Sequence, residues 1–96
     1  MAYSDLYRPA GATQTITSAG TSAATSSGVG ANTQAVCITS TQNVYLHFAD
    51  APTATATNGV FHLKDWPIVY SIAPGEKVAA LQVSTGGTVY VSELTR

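Results

Sequence analysis

Period-two alternation of apolar and polar side chains, the pattern of a half-buried β-strand, is clearest in the middle of the chain. It runs through residues 34–39 and again through residues 43–49. The apolar residues that share one face of these two runs are Val36, Ile38, Val44, Leu46 and Phe48. Because a tight connection at residues 41–43 joins the runs, the pattern predicts two strands paired as a hairpin.

Turn signals divide the rest of the chain into shorter strands. Asn58-Gly59 is typical of tight turns, and Pro74-Gly75 suits the two central positions of a type II turn. Residues 77–83 and 88–94 are predicted to form a second hairpin. The remaining predicted strands cover residues 13–17, 60–63 and 68–72, with a Ser/Thr-rich edge strand at 22–27.

About eight short strands, with no stretch of helical period, predict an all-β fold. We expect a single small β-sandwich over residues 13–96, for which a jelly roll is one topology. Residues 1–12 show no period. The larger side chains of this segment include Tyr3, Leu6, Tyr7 and Arg8. Because aromatic and aliphatic side chains are costly to leave in water, we expect an extended N-terminal arm that docks on its own domain or on a neighbour.

Charge is scarce, with four Lys or Arg and five Asp or Glu among 96 residues and a formal net charge of -1. An ordinary soluble domain carries about a quarter charged residues, which keep copies apart. The scarcity predicts that other chains cover much of the surface. Four scattered basic residues are too few for a nucleic-acid footprint, and no apolar run approaches the roughly twenty residues that span a bilayer. We therefore expect protein partners, with no nucleic acid and no membrane.

The candidate chemical groups each have an ordinary structural interpretation. Cys37 is the sole cysteine and is expected to be a small buried thiol. His47 and His62 would need a third ligand to bind a metal, and none has recognisable spacing. Asp50 and Asp65 flank turns, and no nucleophile elbow or phosphate-binding glycine loop is present. We expect no catalytic residue, no metal site and no cofactor.

Four aromatic residues, Tyr45, Trp66, Tyr70 and Tyr90, allow two interpretations. A shared aromatic platform would stack sugar rings, as in carbohydrate-binding modules. Trp and Tyr are also frequent anchors of protein interfaces. The interface interpretation is favoured, with Trp66 and Tyr70 as anchors beside the arm.

Several segments carry a resemblance to a known group of proteins. They are the Ser/Thr-rich tract from residue 22, the strands around 36–38 and 44–46, the segment 51–57, the turn 73–79 and the ending 86–93. In these segments, residues 22–96 resemble the small virion proteins of tailed bacteriophages, which include short structural and head-decoration proteins. The resemblance implies a multi-copy, non-enzymatic part of the particle.

Composition and resemblance together predict a capsid decoration or cement protein that binds and stabilises the shell of the major capsid protein. We expect self-association as a dimer or trimer, a position on the capsid surface of the virion, and synthesis in the host bacterial cytoplasm, since the first residues lack a secretory signal. The predicted interface residues are Tyr3, Leu6, Tyr7, Arg8, Trp66 and Tyr70. The alternatives are a tail, head–tail connector or head-fibre component and, in a different class, a carbohydrate-binding module.

Overall fold

The computed structural model describes residues 8–9, 11 and 13–95. The predicted interface residues Tyr3, Leu6 and Tyr7 lie outside the described residues. Within the described part of the chain there are nine β-strands and no helix. The strands are β1 (Arg8–Pro9), β2 (Gln14–Ser18), β3 (Ala23–Ala24), β4 (Ala35–Ser40), β5 (Val44–Ala49), β6 (Val60–His62), β7 (Ile68–Ser71), β8 (Lys77–Gln82) and β9 (Gly87–Thr95).

The strands form two antiparallel sheets that pack as a β-sandwich, which confirms the predicted fold class. Sheet I has the order β2-β9-β4-β7, and β1 pairs with the end of β9 on the same side as β2. Sheet II has the order β3-β8-β5-β6. The pairs β2–β9, β3–β8, β4–β7 and β5–β6 are nested, as if one long hairpin had been rolled up. This nested pairing is the strand arrangement of a jelly roll.

The predicted hairpin between residues 34–39 and 43–49 is wrong, because β4 belongs to sheet I and β5 to sheet II. The connection 41–43 crosses from one sheet to the other. At its start Thr41 N donates to Thr88 O in sheet I, and at its end Asn43 O accepts from Val83 N beside sheet II. Alternation identified the apolar faces correctly. Those faces pack against each other across the core, since each strand must bury its apolar side against another layer.

The second predicted hairpin, between residues 77–83 and 88–94, is wrong for the same reason. β8 pairs with β3 and β5 in sheet II, whereas β9 pairs with β1, β2 and β4 in sheet I. The connection is tied to the end of β2 and the residue after it, since Gln82 N donates to Ala19 O and Gly87 N donates to Ser18 Oγ. The strands themselves lie where the pattern predicts them, and only their partners differ.

The Pro74-Gly75 turn has the predicted geometry. Gly75 has a φ of 85°, the left-handed value that the third residue of a type II turn requires. Glu76 N donates to Ala73 O at 3.1 Å and closes the turn. The local sequence therefore determines this part of the backbone.

The Ser/Thr-rich tract at 22–27 forms a shorter strand than predicted, limited to Ala23–Ala24 at the edge of sheet II. Beyond it the chain continues beside β8 through single hydrogen bonds, from Thr25 N to Val78 O and from Val29 N to Glu76 O. Val29 fills the end of the core. The tract is thus an irregular edge that covers β8.

The core lies between the inner faces of the two sheets. Each large apolar side chain buried there stabilises the fold by about 1.5–3 kcal/mol relative to exposure. The core cluster consists of Ile16, Val29, Val36, Ile38, Val44, Leu46, Ile72, Val78, Ala80, Val89 and Val91. Both sheets contribute, so neither sheet is expected to be stable without the other.

The segment between β5 and β6 covers part of the outer face of sheet II. Ala54 is 2% exposed, and its N–H donates to Ser22 Oγ, next to β3 on the far side of the sheet. Ala79 is fully buried although it lies on the outer face, opposite His47. We infer that this segment crosses β5 and β8 and shields Ala79 from water. The edge at β6 is the part of this sheet that lacks such a cover among the described residues.

Candidate interaction surface

Exposed large hydrophobic side chains concentrate at β6 and the corner that follows it. Val60 is 49% exposed, Phe61 50%, Leu63 49% and Trp66 55%. We call these four residues the β6 patch. The other large hydrophobic residues exposed among the described ones are Val83 and Tyr90. Val60 lies on the core-side face of β6, opposite Leu46, and Phe61 lies on the outer face, opposite Tyr45, so the β6 patch follows the strand edge and includes both of its faces.

The position of β6 at the edge of sheet II explains the exposure. Phe61 pairs with Tyr45 on the outer face, and the two rings meet edge to face at 6.2 Å. His62 points the other way, into the core, and is fully buried. The Phe61 ring is therefore supported by Tyr45 on one side, while half of its surface stays open to solvent.

The corner after β6 is anchored to the crossing between the sheets. Lys64 N donates to the side-chain oxygen of Asn43 at 2.8 Å, and Asp65 N donates to Ser40 O at 2.8 Å. Asp65 has a φ of 58°, a left-handed conformation that Asp tolerates better than most residues. These contacts hold the corner in place, so Trp66 projects from a fixed backbone.

The hydrogen-bond alternation of sheet II shows which backbone groups of β6 are free to pair with another strand. Val83 N donates to Asn43 O, so the backbone N–H and C=O groups of odd-numbered β5 residues point toward β8 and those of even-numbered residues point toward β6. Consequently Val60 and His62 exchange bonds with β5. The N–H and C=O of Phe61 therefore point toward the open edge. The apolar patch thus coincides with an open strand edge.

Beneath the patch, His62 and Tyr70 connect the two sheets. His62 Nδ1 and the Tyr70 hydroxyl share a hydrogen bond of 2.8 Å, and the Tyr70 ring packs on Phe48 at 5.2 Å. His62 lies in sheet II and Tyr70 in sheet I, so the pair closes this side of the sandwich. Tyr70, a predicted interface anchor, is half-buried and its hydroxyl is used in this internal bond.

Burial of His62 lowers its pKa below the ordinary 6.5, mainly because the charged ring would lose water, and the nearby Trp66 backbone opposes part of this shift. Its Nε2 is buried without a hydrogen-bond partner among the described residues. Burial also raises the pKa of the Tyr70 hydroxyl. Both groups are therefore neutral at neutral pH.

We expect the free energy of unfolding to fall as the pH is lowered through 6.5. The unfolded chain protonates His62 near 6.5, while the folded chain does so only at lower pH, so the unfolded state binds more protons in that window. Urea denaturation between about pH 8 and 5.5, where carboxylates stay ionised, measures the slope. A His62→Gln variant should lose this part of the slope. An identical slope in both proteins would contradict the assignment to His62.

The other predicted site residues lie apart from the β6 patch. Arg8 is exposed on β1, opposite Thr95, and contributes to an open groove of about 610 Å³ that Asn32, Gln34 and Pro74 also line. β1 lies at the edge of sheet I opposite β7, whereas β6 and β7 share the other side of the sandwich. The structure therefore places Trp66 and Tyr70 on the side of the sandwich that holds β6 and β7, and Arg8 at the far edge.

The aromatic residues considered as a sugar platform do not share one surface. Tyr90 lies on the outer face of sheet I, between Thr15 and Thr39 of the neighbouring strands. Tyr70 lies between the sheets, and Tyr45 lies on the outer face of sheet II beneath Phe61. Cys37, predicted to be buried, is half-buried on the outer face of sheet I.

Val60, Phe61 and Leu63 are surface residues that the sequence does not reveal. The run Val-Phe-His-Leu predicts a strand, but nothing in it shows that the strand is an edge. The signal that was available is that both faces of this short run carry large apolar residues. A strand of that kind is either central to two layers or part of an interface.

The described residues contain no group of three or more His, Cys, Asp or Glu side chains that could hold a metal ion. They also contain no helix that is long and apolar enough to cross a membrane. No known protein family, curated protein or solved structure matches this chain. A function must therefore be argued from the β6 patch, the fold and the sequence.

Proposed function

We propose that this chain is a non-enzymatic structural protein of a tailed-phage virion, a decoration or cement protein that stabilises the shell of the major capsid protein. The observation that carries the proposal is the β6 patch, because an exposed apolar edge marks the chain as a subunit of an assembly, whichever neighbour covers that edge. With roughly 150–250 Å² for each of the two aromatic side chains and less for Val60 and Leu63, the four half-exposed residues present on the order of 300 Å² of apolar surface. The largest apolar patch on a typical monomer covers about 300–600 Å² and is often functional.

The scarcity of charge supports an assembly role. A free subunit with this patch and only nine charged residues would have little electrostatic protection against association. Surfaces that become buried in an assembly do not need that protection. Composition and exposed surface thus both favour a subunit that is normally covered.

Fold and sequence support the virion as the place of assembly. Jelly rolls are frequent in viral capsid proteins and also in lectins, so the topology raises both possibilities without deciding between them. The resemblance of residues 22–96 to small phage virion proteins favours the first. In the proposed mechanism, binding of the rigid, folded subunit reinforces the shell by mass action.

Particles assembled without this chain provide the test. Adding the purified chain should give saturable binding at many copies per particle and should raise the temperature at which the shells break. A copy number limited to one ring per particle would instead indicate a connector or tail component. Absence of binding would contradict the proposal.

Deleting residues 2–12 from the added chain tests the arm, because unchanged occupancy would exclude it from shell binding.

A carbohydrate-binding module is the second candidate, favoured by the exposed Trp66 on a jelly-roll fold. Exposed aromatic rings stack on sugar faces in such modules. A glycan array probed with the intact chain and with Trp66→Ala separates the two functions. Specific glycan binding that the substitution abolishes would favour the module, and absence of any glycan binding would eliminate it.

A further inference from the structure

We propose that two copies of this chain pair through β6, antiparallel about a twofold axis at Phe61, so that their two four-stranded sheets form one continuous eight-stranded sheet. This inference rests on the proposed function, since it specifies the first assembly step of the structural subunit. It assigns the β6 patch to a second copy of the chain. The shell contact then belongs to other surfaces.

The backbone of β6 is suited to this pairing. A twofold axis through an antiparallel pair requires that one residue meets its own copy. Phe61 is the residue whose N–H and C=O point to the open edge, so two copies can exchange both bonds at this position. The strand has only three residues, and pairing centred on its middle residue uses its whole length.

The side chains are complementary in the same register. With Phe61 opposite its copy, Leu63 of one chain lies opposite Gly59 of the other. Gly59 has no side chain, and the Tyr45 side chain and the Thr55 carbonyl oxygen fill the position where its Cβ would lie, so Leu63 would pack against these two groups. Val60 of one chain lies opposite His62 of the other, near the core. The largest pair that this register creates is Phe61 with its own copy, and aromatic cross-strand pairs of this kind are stabilising.

The exposed apolar area supplies more than half of what a stable dimer needs. A standard interface buries about 800 Å² per partner, of which roughly 450–500 Å² is apolar. The apolar surface of the β6 patch is on the order of 300 Å². Lys64 and Asp65, the charged residues of the corner, carry opposite signs, so the edge as a whole is close to neutral. Two copies therefore meet without net repulsion.

Pairing through β6 leaves the opposite side of each sandwich open for other contacts. β1 lies on that opposite side, at the edge of sheet I. Pairing through β6 would leave the β1 edges at the two ends of the dimer. Each end could then contact a different shell subunit, which is the bridging that a cement protein needs.

The first experiment measures the oligomeric state of the full chain by light scattering and sedimentation over roughly 1–100 µM, the range in which interfaces of modest size dissociate. We expect a concentration-dependent dimer. Leu63→Lys should raise the dimer dissociation constant at least tenfold with unchanged circular dichroism. Val83→Lys, a matched change at an exposed apolar residue outside the patch, should leave it unchanged. A monomer at all concentrations, or equal effects of both substitutions, would overturn the inference.

The second experiment tests the register by cross-linking in a Cys37→Ser background. In a hydrogen-bonded antiparallel pair the Cα atoms lie about 5.5 Å apart, within disulfide range. Phe61→Cys should therefore form an intermolecular disulfide at least ten times faster than Leu63→Cys, because the two Leu63 positions would lie roughly 13 Å apart along the strands. Equal rates would overturn the register. A monomer that still binds shells would refute the dimer and keep the proposed function, whereas a dimer that binds no shell would do the opposite.

Discussion

Replacing Leu46 by Ala is expected to lower the free energy of unfolding by about 3–4 kcal/mol. Leu46 is fully buried on β5 and belongs to the core between the sheets. Its truncation loses transfer free energy and leaves a cavity that a rigid sandwich cannot close. For a domain of this size, the midpoint of thermal unfolding should fall by roughly 12–25 °C. Urea denaturation followed by circular dichroism measures the change.

Val83→Ala is the control for this prediction, since Val83 is 38% exposed and lies outside the core cluster. Its effect should stay within about 0.5 kcal/mol, as for most surface substitutions. If Leu46→Ala cost no more than Val83→Ala, the packing of β5 against sheet I would be incorrect.

The second large effect is expected at Gly28, whose replacement by Ala should cost about 3 kcal/mol. A Cβ at this position would overlap the carbonyl oxygen of Gly75 and lie 2.8 Å from its carbon. The obstacle is backbone, so it cannot move aside as a flexible side chain can. Two hydrogen bonds flank the contact, from Val29 N to Glu76 O and from Gly75 N to Val29 O, both 2.9 Å. Chemical denaturation detects their weakening as a loss of stability.

Gly30→Ala provides the matched control two residues away. A Cβ at Gly30 would lie 3.5 Å from a Glu93 carboxylate oxygen, an ordinary contact. We expect a change below about 1 kcal/mol at this position. Equal costs at Gly28 and Gly30 would show that general flexibility of the tract matters, and that its close approach to Gly75 does not.

Much of the fold was predictable because its signals are local. The alternation around Val36 and Val44 gave the faces of β4 and β5, and Pro74-Gly75 gave a type II turn. Both predicted hairpins were wrong because alternation defines the face of a strand and carries no information about its neighbours. A short connection such as 41–43 serves equally well as a hairpin turn or as a crossing between sheets.

The candidate interaction surface was predicted only in part. Trp66 was expected at an interface and is exposed. Tyr70 was expected there too, but its hydroxyl shares a hydrogen bond with His62 inside the sandwich. The remaining residues of the β6 patch could not be found, because their exposure depends on β6 being the last strand of sheet II. That position depends on how strands far apart in the chain pair with one another. No local sequence pattern shows which strand will be at the edge.

The sequence by itself determined the all-β class, the apolar faces of the strands and the scarcity of charge, since each follows from the side chains and their spacing. The tertiary structure alone decided which strands are neighbours, that His62 is buried against Tyr70, and that Phe61 and Trp66 remain exposed at an open edge. The physical reason is that burial and pairing depend on contacts between residues far apart in the chain. A strand lies at the edge of a sheet when no other strand of the folded chain pairs with its second side.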